Sequence, residues 1–230
     1  MLSSAVHELR TTLAGRFPDA VPLPHRTAWS VEFGLSAVDA LIPGGGLPRG
    51  RLSTALGPGM TALLRAAALH TAARGERAAW VDAAGLASAE CDWSGIALIR
   101  PAGAVEARVA AEELLRSGGF ALVVLAGAPS AALERVRMAR DASAGGAAYV
   151  ELGAEDGRMA ALRLSSHVPE TGVRWRRSGL GEPLAVEAVR LRVRALTPGW
   201  DRETTLELPL VPHDVRVALE PGVGDRRGGR

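Results

Sequence analysis

Arg51-Leu-Ser-Thr-Ala-Leu-Gly57-Pro58-Gly59-Met60-Thr61-Ala62-Leu63-Leu64 decides how this chain folds. A short β-prone run leads into a Gly-Pro-Gly turn, and an alanine- and leucine-rich helix start follows. That is the setting of a phosphate-binding P-loop. A P-loop has the pattern Gly-x-x-x-x-Gly-Lys-Ser/Thr: backbone amides cradle phosphate, the lysine meets the β/γ-phosphates, and the hydroxyl holds magnesium. Counted from Gly57, the second glycine falls on Ala62, the lysine on Leu63 and the hydroxyl on Leu64. No realignment restores the lysine, because all 27 Lys+Arg positions are arginine. The stretch has the setting of a nucleotide site without its chemistry.

Working outward, short apolar strands alternate with helices. Strands are expected over 51–56, 78–82, 96–99, 120–126 and 147–152, and helices over 61–74, 104–117 and 130–141. Alternation of this kind argues for βαβ units around a parallel sheet. The run 120–126 is the most continuously apolar and belongs at the centre, covered on both faces. After Leu152 the period changes. Strands over 160–166, 173–177, 184–196 and 204–210 follow one another with turns such as Pro198-Gly199 between them. They predict an antiparallel extension at the edge of the parallel sheet. Before the core, Leu2, Val6, Leu9 and Leu13 recur at helical spacing and mark one face of a short amphipathic helix. The expected organisation is residues 1–27 as helix and linker, 28–212 as core and 213–230 as a C-terminal tail.

The order of motifs resembles the RecA recombinase core over about residues 29–166. Trp29-Ser-Val-Glu-Phe-Gly34-Leu35-Ser-Ala-Val-Asp39-Ala-Leu41, then Gly44-Gly45-Gly46-Leu47-Pro48-Arg49-Gly50-Arg51, looks like the family's leading motif. Gly57-Pro58 matches the start of its P-loop, and Trp80-Val81-Asp82-Ala83 the end of its next strand. The resemblance implies an α/β fold of the P-loop NTPase type, with a mostly parallel sheet, antiparallel C-terminal strands and an N-terminal helix. It also implies where function departs. The water-activating acid of the family falls on Ala84, and the acid that closes its apolar Walker B strand falls on Leu125 or Ala126. The segment that would form a long DNA-binding loop is short, from Gly153 to Met159. A RecA-like chain of this length without ATPase residues looks like the ImuA family, which implies translesion synthesis through contacts with RecA and an ImuB-type polymerase-like protein. A SulA-like inhibitor of FtsZ shares such a degenerate fold and is the alternative.

Composition narrows the classes further. A length of 230 residues with 47% hydrophobic and 23% charged residues suits one sizeable globular core. The formal net charge of +2 does not by itself argue for nucleic acid. A single cysteine, Cys91, excludes an intrachain disulfide framework and suits a reducing cytoplasm. No apolar run reaches the length of a membrane span, and the first residues lack the order of a signal peptide. His7, His25, His70, His167 and His213 never fall at metal-ligand spacing, so no metal is expected, and with Ala62, Leu63 and Leu64 at the nucleotide positions no other cofactor is expected.

Two constellations carry competing readings. Arg190, Arg192 and Arg194 share one face of a strand, and Arg174 and Arg176 form a similar row nearby, with Arg177 on the opposite face. One reading is a basic patch that binds DNA weakly or meets an acidic partner. The other is a solvated sheet face whose charges discourage edge-to-edge pairing. Arg108–Glu112 and Glu112–Arg116 are spaced as surface ion pairs on a helix. The functions weighed are a non-catalytic adaptor, an ATPase using Arg65 on phosphate, a division inhibitor and a plain DNA-binding module. The loss of phosphate, metal and water positions together favours the adaptor, since positioning and charge supply nearly all of phosphoryl-transfer catalysis.

Overall fold

The computed structural model describes residues 30–89, 91–155 and 159–209. The expected N-terminal helix, with Leu2, Val6, Leu9 and Leu13, and the tail over 213–230 lie outside these residues.

The chain begins with a small hairpin, β1 (Ser30–Val31) against β2 (Leu47–Pro48), with the one-turn helix α1 (Ser36–Asp39) between them. Asp39 organises this segment, because its carboxylate accepts hydrogen bonds from the amides of Phe33 (2.7 Å) and Leu35 (3.1 Å). Three parallel strands and two helices follow: β3 (Arg51–Leu56), α2 (Met60–Ala73), β4 (Ala78–Asp82), β5 (Ile96–Ile99) and α3 (Ala104–Arg116). Next come β6 (Leu122–Ala126), α4 (Ala132–Gly145), β7 (Ala148–Leu152) and β8 (Leu162–His167). The chain then turns antiparallel in β9 (Val173–Arg177), β10 (Pro183–Thr197) and β11 (Trp200–Pro209).

The main sheet has the order β11-β10-β8-β3-β7-β6-β4-β5, with β9 paired to β10. From β8 to β5 every neighbouring pair is parallel, and β10 pairs antiparallel with β8, β9 and β11. This is an α/β protein with a mostly parallel central sheet and antiparallel strands at one edge. The chain crosses the sheet one way from β3 to β4 and the other way from β5 to β6 and β7. Right-handed crossovers therefore place α2 on one face and α3 and α4 on the other. Two apolar cores result. One joins Leu63, Leu64 and Ala67 of α2 to Trp80, Val124, Val150, Leu164, Leu191 and Val193. The other joins Ala107, Ala111, Leu115, Met138 and Ala142 to Leu52, Val81, Val123, Leu125 and Tyr149.

The apolar run expected at the centre is β6, fully buried between β7 and β4, although it starts at Leu122 rather than Phe120. The helix expected over 130–141 continues to Gly145, where Gly146 takes a left-handed conformation and ends it. Its start is held by Glu134, whose carboxylate accepts the amide of Ala131 at 3.0 Å. The last strand begins at Trp200, four residues before the expected 204. Thr197 and Trp200 are cross-strand partners, so Pro198-Gly199 is a two-residue hairpin turn and pairing resumes immediately. The two-residue strands β1 and β2 are too short to show an alternation in sequence.

Candidate functional site

The connection between β3 and α2 is three residues long: Gly57, Pro58 and Gly59. Gly57 has φ +112°, and a Cβ there would lie 2.2 Å from the carbonyl oxygen of Ser166 on β8. Gly59 has φ +76°, and its Cβ would lie 2.3 Å from Cδ1 of Leu191 on β10. Both positions need glycine, for backbone sign and for space. The Ser166 hydroxyl also donates to the carbonyl of Pro58 at 2.5 Å. The turn is thus closed from the side by β8, which pairs parallel with β3 and so does not belong to the antiparallel extension expected to begin at residue 160, and by antiparallel β10. It is not a long amide-lined loop around an anion. Behind it, Ala62 is half-buried, while Leu63 and Leu64 are 1% and 0% exposed in the core of the α2 face.

Around the turn, the carboxyl ends of the strands meet as backbone. Ala83 N donates to Ala126 O (3.0 Å), Gly127 N to Leu152 O (3.1 Å) and Gly153 N to Ala55 O (2.8 Å). Ala84 is exposed, and its methyl group occupies the space that a side chain on Gly127 would need. Leu125 and Ala126 are buried, on opposite faces of β6. The acid at this edge, Asp82, is buried and spends both oxygens on its own loop, accepting Leu86 N and Ala87 N at 2.9 Å each. Arg65, the arginine of the ATPase reading, sits on α2 and acts electrostatically on Asp92. Among the described residues no group of three or more His, Cys, Asp or Glu side chains could hold a metal. An open cleft of about 870 Å³ lies at the opposite, amino-terminal end of β3, lined by Arg49, Arg51, Ser143, Gly146 and Met159 among others.

One polar constellation escaped the sequence reading. Glu151 of β7 is wholly buried and pairs with Arg135 of α4 through Nη2 (3.0 Å) and Nε (3.1 Å). The hydroxyl of Tyr149 donates to its second oxygen at 2.9 Å, and Ser130 lies 3.4 Å from that hydroxyl. Burial, and then the Glu151 charge, push the Tyr149 hydroxyl well above its ordinary range. The cluster is buried and ties α4 to β7. Its signal in sequence was a carboxylate inside an otherwise apolar strand, Ala148-Tyr149-Val150-Glu151-Leu152, which requires a buried cation partner.

The arginine rows lie where the alternation puts them, and the fold adds their partners. Arg190, Arg192 and Arg194 are exposed on β10, while Leu191, Val193 and Ala195 between them are buried. β11 brings an acidic row alongside. Arg194 Nε donates to Asp201 at 2.7 Å, and Arg192 lies 3.6 Å from Glu203. That hydrogen bond lowers the Asp201 carboxyl below its usual range and raises the Arg194 guanidinium. Arg174 pairs with Glu187 at 3.2 Å and also with Glu207. Arg176 and Arg190 make no ion pair among the described residues. On β9, Arg174, Trp175, Arg176 and Arg177 are all exposed, so neither face of this part of the strand is covered. On α3, Glu112 pairs with Arg116 at 2.6 Å as its spacing predicts. Arg108 instead pairs with Glu134 of α4 at 3.1 Å, and Arg137 takes its place on Glu112 at 2.7 Å. The neighbouring helix outcompetes the i, i+4 partner.

The fold and site define an α/β protein whose strand–turn–helix junction is packed shut by the later strands β8 and β10. No protein-family model matches the chain, and no curated protein matches it.

Proposed function

We propose that this chain is a non-catalytic adaptor of damage-induced translesion DNA synthesis, built on a RecA-like core and binding RecA and an ImuB-type polymerase-like protein in the cytoplasm. The observation that carries the reading is the junction at Gly57–Leu64. The positions a P-loop gives to lysine and magnesium hydroxyl hold Leu63 and Leu64, both buried, and the turn itself is filled by Ser166 and Leu191. A RecA-like core is supported by the place of β3, inside the sheet between β7 and β8, with crossover helices on both faces. The absence of a carboxylate at Ala84 and Ala126, and the commitment of Asp82 to its own loop, support a scaffold that acts without phosphate chemistry. Phosphoryl transfer depends on positioned charge, so losing all of these groups leaves it no route.

Isothermal titration of the full chain with ATP and magnesium is expected to give no binding heat, and purified RecA or the ImuB-type protein to bind the chain saturably. Micromolar ATP binding, or failure of both proteins to bind, sinks the reading.

A further inference from the structure

The amino-terminal edge of the parallel sheet carries two clefts. The larger, about 870 Å³, lies between β3 and the end of α4 and takes in Arg49, Arg51, Leu52 and Met159. The smaller, about 310 Å³, takes in Arg49, Glu76, Arg77 and Gly119. Both are lined by Arg49, Gly145 and Gly146, so they adjoin there and form one trough. The trough starts at Ala161, just before β8, and passes the first residues of β3. It reaches Arg77 and Ala121, just before β4 and β6. In the sheet order β8-β3-β7-β6-β4 that is four strand spacings. At about 4.8 Å each the span is roughly 19 Å, which about six residues of extended chain would fill.

The charge of the trough is one-sided. Among the described residues its lining holds three arginines, Arg49, Arg51 and Arg77, and one acid, Glu76. Glu76 is spent on Arg49: it accepts a hydrogen bond from Nη2, and the Arg49 side chain is only 16% exposed. Arg51 and Arg77 are exposed and make no ion pair among the described residues. Two cations thus face the open space with no acid of the protein to neutralise them.

The backbone at this edge narrows the class of anion. Gly75, Gly118 and Gly146 follow the ends of α2, α3 and α4 with φ of +78°, +63° and +70°. The three helices therefore all end at the trough, and the last carbonyl oxygens of a helix have no partner within it. These oxygens carry partial negative charge. A phosphate backbone has no donor for them and is repelled by them. A peptide backbone offers them its N–H groups while its carboxylates meet Arg51 and Arg77. Length, sign of charge and backbone acceptors converge on one ligand. We infer that the trough binds an extended acidic peptide segment of a partner protein. The inference goes beyond the adaptor reading and does not rest on it.

The test is fluorescence anisotropy of the full chain with a short labelled peptide that alternates glutamate and alanine. Saturable binding is expected, and affinity at least about tenfold lower in R51A/R77A, since hydrogen bonds to charged groups are lost. Gly119→Leu tests the space without touching charge. A Cβ at Gly119 meets nothing nearer than 3.6 Å, from Ser117 Oγ, so the leucine enters the trough without a clash. Affinity is expected to fall in this variant too, with thermal melts unaltered. Arg190→Ala removes an exposed arginine of β10 outside the trough and is expected to leave affinity unchanged. The inference is overturned if the parent does not bind the peptide, or if a lysine–alanine peptide binds equally well. It is overturned as well if R51A/R77A and Gly119→Leu keep parental affinity, or if Arg190→Ala weakens binding as much as R51A/R77A. Oligodeoxythymidylate binding that R51A/R77A abolishes would replace the peptide by a nucleic acid. None of these outcomes uses RecA or an ImuB-type protein, so the adaptor reading stands or falls separately.

Discussion

Tyr149 is the single tyrosine of the chain, so its ionisation can be followed by ultraviolet absorbance with no competing signal. Its folded-state pKa lies well above the ordinary value of 10.0, first because it is buried and then because Glu151 is beside it. An acid whose pKa is raised on folding stabilises the fold below the unfolded pKa and loses that contribution as pH rises. Denaturant unfolding is therefore expected to show stability falling as pH passes above 10, and Tyr149→Phe to flatten that fall. A parent and variant that decline in parallel would contradict the assignment. The ion pair beneath Tyr149 predicts a second effect. Removing one partner leaves a buried charge alone, so Arg135→Met should cost about 3–5 kcal/mol in chemical denaturation. The double change R135M/E151L should recover much of that loss, because packed apolar groups replace a buried pair at little cost. Neither residue drew notice in sequence. Arg135 reads as one more helix-surface arginine until α4 is docked on β7.

The junction of β3 and α2 was legible as a strand, a glycine turn and a helix start, and its missing lysine was plain. What filled the turn was not, since Ser166 and Leu191 arrive from strands more than a hundred residues later. The geometry makes a prediction for this element. Leu63→Lys supplies the absent side chain but buries an ammonium where 1% of the leucine is exposed. It should destabilise the protein by several kcal/mol, and calorimetry should still find no ATP binding. Gain of nucleotide affinity would show that the turn can open. The same contrast holds for β10. Alternation correctly set Arg190, Arg192 and Arg194 outward and Leu191 and Val193 inward, because period two is a local property. The acids that pair with Arg192 and Arg194 follow from register with β11, which alternation does not fix.

At the scale of the whole molecule, the core on the α2 face is continuous from β4 to β10 and includes both Trp80 and Leu191. The antiparallel strands are therefore part of the parallel body's core. Leu191→Ala removes a buried side chain that also packs on Gly59, and about 2–5 kcal/mol is the expected loss. The loss should appear as one shifted transition, with tryptophan fluorescence and far-ultraviolet dichroism coinciding. Separate transitions would mean that the extension folds independently. The sequence by itself determined the α/β class, the change of period after Leu152, the central place of β6 and the presence of Ala62, Leu63 and Leu64 after the glycine turn, where a P-loop pattern would need glycine, lysine and a hydroxyl. These are readable because propensity, alternation and the presence of a functional group are local. The tertiary structure alone decided that the glycine turn is packed shut, that Asp82 is spent on its own loop, that Glu151 is neutralised by Arg135 and that Arg174, Arg192 and Arg194 meet acids. Each depends on which distant strand or helix lies alongside, and burial and pairing are set by that neighbour.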